Sequence, residues 1–182
     1  MPSADLRIQQ SGFTRFELAL VALIFCMLLI VALNRIPELM VEAERVHLLQ
    51  IEGTLKSALG LELARRVLLR EPAAIADLAG SNPMKLIEKW PPNYLGERDQ
   101  PDLEALPAGN WIFDRTRQVL IYTVRNTGRF RCNLPGRIRA EYRLELEYDD
   151  RNRNERFDHQ LDRLTGFRLI SVGDPHWLAG NE

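Results

Sequence analysis

Residues 18–33 read Leu-Ala-Leu-Val-Ala-Leu-Ile-Phe-Cys-Met-Leu-Leu-Ile-Val-Ala-Leu, without one charged side chain. No other feature narrows what this chain can fold into as much. A bilayer span needs roughly 20 predominantly apolar residues, and Phe13, Phe16 and Ile36 carry the run toward that length. A buried core helix is one competing reading, but few soluble helices are apolar all round for so long. A secretory signal is another. It would have a shorter apolar region and a small-x-small cleavage site after it, whereas this run ends Ala32-Leu33-Asn34-Arg35. The sequence therefore predicts a retained membrane span over 13–36. Charge does not orient it, because Arg7 and Arg15 precede the span and Arg35 and Arg45 follow it.

The chain has 182 residues, 46% apolar and 27% charged, with a formal net charge of −1. That excludes a largely disordered chain and a protein whose whole surface is basic. Two cysteines, Cys26 in the apolar run and Cys132 far beyond it, exclude a disulfide-stapled scaffold and a Cys-rich zinc module. Their placement also predicts that they do not pair within one subunit.

From 37 to 70 the pattern is helical and amphipathic. Ile51, Leu55, Leu59, Leu63 and Val67 repeat every fourth residue, with Leu48 and Ala58 beside them, and Glu42, Glu44, Arg45, Glu52, Lys56 and Glu62 take other positions. Pro37 predicts a bend or local melting near 33–37. Residues 71–109 read as a connecting region rich in proline, with a helical turn over 73–78 and a helix capped by Asn82-Pro83 and running to Trp90.

The part from 110 to 182 reads as strands. Trp111–Asp114 and Val119–Val124 flank a polar turn, as in a hairpin. Ile138, Ala140, Tyr142, Leu144, Leu146 and Tyr148 alternate with Arg137, Arg139, Glu141, Arg143, Glu145 and Glu147, which predicts a strand with one buried and one wet face. Residues 166–172 make a further strand. The expected class is α+β: a long N-terminal helix, membrane-spanning in its first half, packed on a C-terminal antiparallel sheet.

Glu17 stands at the mouth of the apolar run. An ionised residue costs about 2.5–3.5 kcal/mol at the centre of a membrane helix and less near an end, so its default reading is functional, with a cationic partner; a carboxylate at the headgroup boundary is the plain alternative. Other candidate chemistry is sparse, and the sequence predicts neither enzyme nor cofactor. Asp150, Asn152 and Asn154 match the first ligand offsets of a calcium loop, but Glu155 replaces its glycine and Leu161 its bidentate acid. Six arginines lie between 125 and 143 against one acid, with Arg129, Arg131, Arg137 and Arg139 as candidate nucleic-acid contacts. Arginine is the default cation of this chain, however, so a solvated face is the favoured reading.

Ser11-Gly12-Phe13-Thr14-Arg15-Phe16-Glu17-Leu18, abutting the apolar run, resembles the processing signal of type IV pilins and of the pseudopilins of type II secretion. The resemblance implies a leader over 1–12 and cleavage between Gly12 and Phe13 by a prepilin peptidase. It also implies N-methylation of Phe13 and a role for Glu17 in subunit register and assembly. The fold implied is pilin-like. The implied partners are the peptidase, other pilins or pseudopilins through the N-terminal helix, an inner-membrane assembly platform and membrane lipid, with nucleic acid not favoured. The implied location is the inner membrane, single-pass, with the head in the periplasm and, after assembly, in a pilus or pseudopilus. Arg15 departs from a position often apolar in the family, and Pro37 is somewhat displaced from the family's proline. A single-pass anchored periplasmic binding or enzyme domain, and a DNA-binding pseudopilin of competence type, are the alternatives.

Overall fold

The computed structural model describes residues 14–69, 78–151, 153, 154, 157 and 162–178. The chain divides into two compact units, Met1–Met40 and Val41–Glu182. One helix, α1 (Arg15–Leu69), runs through both stretches of sequence. In the first unit its apolar side chains are exposed from Phe16 through Ile36, and among the described residues it is the one helix long and apolar enough to cross a membrane. The melting expected near 33–37 does not occur, and Pro37 lies inside an unbroken helix. A proline removes one backbone donor, and the turns on either side hold the geometry.

In the second unit α1 packs on a five-stranded sheet. The strands are β1 (Tyr94–Arg98), β2 (Trp111–Asp114), β3 (Val119–Thr123), β5 (Arg139–Asp149) and β6 (Arg163–Val172), in the order β1-β2-β3-β5-β6. Two short strands, β4 (Phe130–Arg131) and β7 (His176–Trp177), pair separately. The expected hairpin is present: β2 and β3 pair antiparallel, Trp111 opposite Tyr122. Its turn forms because the Asp114 carboxylate accepts the Thr116 and Arg117 amides at 2.9 and 3.2 Å, an aspartate turn.

The α+β class stands, but the sheet is mixed rather than antiparallel, because β1 runs parallel to β2. A parallel neighbour needs a crossover of about a dozen residues, and residues 99–110 supply it without a helix. The stretch read as plain connection thus holds an edge strand. Asn82 does cap a helix start, accepting the Met84 amide at 3.0 Å. The element it caps is only a 3-10 turn, Pro83–Leu86, instead of a helix to Trp90. The turn expected over 73–78 falls almost wholly outside the described residues.

The crossover explains the core. Trp111, Phe113, Leu120, Tyr122, Ala140 and Tyr142 face Leu48 and Leu55 of α1. On the opposite face Ile112, Val119 and Ile121 are buried under Leu103 and Leu106 of the crossover. Strands β2 and β3 are therefore buried along their whole length. The first half of β5 is covered as well, so Arg139 and Glu141, expected on a wet face, are buried. Alternation reports which residues share a face; it does not report what lies over that face.

Candidate functional site

Helix α1 starts with a reciprocal cap. The Thr14 amide donates to Glu17 Oε2 at 2.8 Å, and the Glu17 amide donates to Thr14 Oγ1 at 3.3 Å. This is a capping box, in which a Thr and a Glu three residues apart satisfy two amides that a helix start would leave unpaired. The signal is present in the sequence as Thr14-Arg-Phe-Glu17. Glu17 therefore has a local partner as well as a position at the mouth of the apolar run. Gly12 and Phe13, the expected positions of cleavage and methylation, lie outside the described residues.

Among the described residues the head buries three carboxylates, Asp114 of the hairpin turn, Glu44 and Glu141; the burial of the last two was missed from sequence. Glu44 accepts four hydrogen bonds: from the Tyr122 hydroxyl at 2.9 Å, the Arg125 amide at 2.7 Å, the Asn126 amide at 2.8 Å and Asn126 Nδ2 at 2.7 Å. It joins the first turns of α1 in this unit to the loop after β3. Burial and the neighbouring Glu44 charge push the Tyr122 hydroxyl well above its usual range. Burial and the Glu52 carboxylate do the same to Tyr142. Glu44 could have been found from spacing, since 44, 48, 51 and 55 fall on one helix stripe.

Glu141 is fully buried. Burial alone would raise its pKa, but Arg117 and Arg139 reverse that and hold it below the usual carboxylate value. Arg117 grips it with two bonds of 2.7 Å, and Arg139 Nε adds one of 2.6 Å. A buried charge demands such pairing.

The arginine-rich segment separates into two sets. Arg139 is buried and also donates to the Pro135 and Arg137 carbonyls, each at 2.9 Å. Arg137 donates to the carbonyls of Leu103, Glu104 and Leu106, tying the crossover down. These two arginines are committed to the fold. Arg125 and Arg131 are exposed and Arg129 is half-buried. Among the described residues Arg131 donates to the carbonyls of Thr127, Gly128 and Phe130.

Asp150 and Asn154, two of the calcium candidates, lie in the loop after β5, where the Asn154 amide donates to Asp150 Oδ1 at 3.3 Å. Asn152 lies outside the described residues. Among the described residues no group of three or more His, Cys, Asp or Glu side chains is arranged to hold a metal. Cys26 is exposed on α1 and Cys132 is half-buried beside the main core, both as free thiols. No protein-family model, curated protein or solved structure matches this chain.

Proposed function

We propose that this chain is a pilin-like assembly subunit, a minor pilin or pseudopilin of a type IV pilus or a type II secretion machine, anchored by one span and carrying its head outside the inner membrane. It acts as a substrate of the prepilin peptidase and not as a catalyst. Supporting the reading is one juxtaposition: Gly12-Phe13 stands immediately before a capped helix start, with Glu17 in its first turn, and that helix continues as an apolar rod. Cleavage after Gly12 would expose an amine on Phe13 beside that rod. A neighbouring subunit's Glu17 can meet this amine as apolar helices leave lipid for a bundle. A buried pair of this kind contributes register more than net stability, because breaking it leaves an uncompensated charge, at a cost of about 3–5 kcal/mol.

Processing gives the direct test. The intact mass of the membrane-bound chain should lack residues 1–12 and carry one added methyl group. Gly12→Ala should leave the leader in place, because an added Cβ blocks close approach to the backbone at the cut. A native chain of full mass, or normal trimming of Gly12→Ala, would reject the assignment.

A further inference from the structure

We infer that the loop over 124–132 is a docking surface for the phosphate headgroups of an anionic bilayer. The inference rests on the reading of the apolar part of α1 as a membrane span, and it names a second contact of the same chain with lipid.

From Val124 to Ile138 the sequence holds four arginines and no acid. Arg137 is used by the crossover, which leaves Arg125, Arg129 and Arg131 on the loop, Arg131 with its Nη1 turned back on the loop's own carbonyls. Among the described residues none of these three has a carboxylate within ion-pair distance. Just before β7, the strand paired with β4, Asp174 lies 3.8 Å from His176 and serves that imidazole. Glu44 lies beneath the loop, but its oxygens are spent on the Tyr122 hydroxyl, the Asn126 side chain and two loop amides, with the guanidinium groups left out.

The loop is also tied to a helical turn that lies close to the span in sequence. Glu44 ties it to the first turns of α1 in the head. Eight positions separate Ile36, at the edge of the apolar run, from Glu44. Eight residues reach at most about 29 Å even when fully extended, which sets an upper limit on how far the Glu44 tie can stand from the edge of the apolar run. Tethering converts weak attraction into high local occupancy.

The neighbours of these arginines are apolar. The Leu178 amide donates to the Arg129 carbonyl at 2.8 Å, which brings the backbone of Leu178, a residue 40% exposed, alongside that of Arg129. Trp177 stacks edge-on with Phe130 at 4.9 Å beside it. Cations next to an aromatic and an exposed aliphatic side chain match the layered chemistry of a bilayer interface. Nucleic acid fits less well, since the electrostatic part of duplex binding grows with the number of phosphates neutralised and this loop offers three cations.

The test uses the full chain reconstituted in vesicles of phosphatidylcholine alone, or of phosphatidylcholine mixed with phosphatidylglycerol. Amide hydrogen exchange is read on peptides covering 124–132, with the β2–β3 hairpin as internal control. Exchange at 124–132 should slow roughly tenfold in the anionic vesicles. The effect should vanish at about 1 M salt, where screening shortens to about 3 Å. It should also vanish in Arg125→Gln/Arg129→Gln/Arg131→Gln and survive in the corresponding triple Lys variant, with the hairpin unchanged in both. Equal exchange in the two lipids would overturn the inference and leave the span reading intact. So would protection by a DNA duplex in neutral vesicles without any lipid effect. Release of the chain from vesicles by alkaline carbonate would overturn the span reading and this inference together.

Discussion

The carboxylate of Glu17 has one bond inside its own helix and, in the proposed assembly, a second partner outside it. The two roles separate by substitution. Glu17→Gln keeps an oxygen for the Thr14 amide and so preserves the capping box, but removes the charge. Both Glu17→Gln and Glu17→Ala should be trimmed normally, and both should enter the assembled fraction roughly tenfold less than the native chain, given the cost of an unpaired buried amine. Quantitative immunoblots of assembled and membrane fractions check this. Native-like incorporation of the Gln variant would restrict Glu17 to capping. Glu141, by contrast, acts on the stability of the head. Its folded pKa lies below the ordinary value, so its contribution to stability is complete above the unfolded value of about 4.3 and is lost as pH falls through the folded one. Denaturation of the full chain in detergent micelles, followed by tryptophan fluorescence, should show stability dropping below about pH 4. Glu141→Gln should be less stable at pH 7, with a flatter acid limb. An unchanged limb would remove Glu141 from the acid response.

At the scale of elements, α1 shows what periodicity carries and where it drifts. A row of every fourth residue turns by about 40° per step on a helix of 3.6 residues per turn, so Val67 lies about 160° around from Ile51. Val67 is accordingly 61% exposed, while Leu48, Leu55 and Leu59 are buried. The true inner stripe begins at Glu44. Leu55→Ala should cost about 2–5 kcal/mol. Glu44→Ala should cost about 3 kcal/mol or more, because it strands the Tyr122 hydroxyl and two loop amides. Val67→Ala should stay within about 0.5 kcal/mol. Denaturation in micelles ranks the three, and a large loss at Val67 would contradict the stripe. Among the strands, the β2–β3 hairpin and β5 were readable because alternation and a turn aspartate mark them. β1 was not. Tyr94-Leu-Gly-Glu-Arg98 lacks alternation, Gly96 adopts a φ of +90°, and the pairing slips between Tyr94 and Glu97.

For the whole molecule, the sequence by itself determined the greasy run at one end, the amphipathic helical stretch after it, and a strand-rich remainder; that the helix passes Pro37 unbroken was decided by the structure. Run, stretch and strands each depend on neighbours within a few positions, where 3.6- and 2-residue periods operate. The proposed cleavage point and the capping box are local in the same sense. Tertiary structure alone decided the parallel edge strand, the second buried face under residues 99–110, and the burial of Glu44, Arg139 and Glu141. It also divided the arginines into those that hold the crossover and Glu141 and those left on the loop after β3. The reason is physical. Whether a charged side chain is wet or buried depends on what folds back over it from 30 or 80 residues away, and a strand's own pattern carries no record of that covering layer.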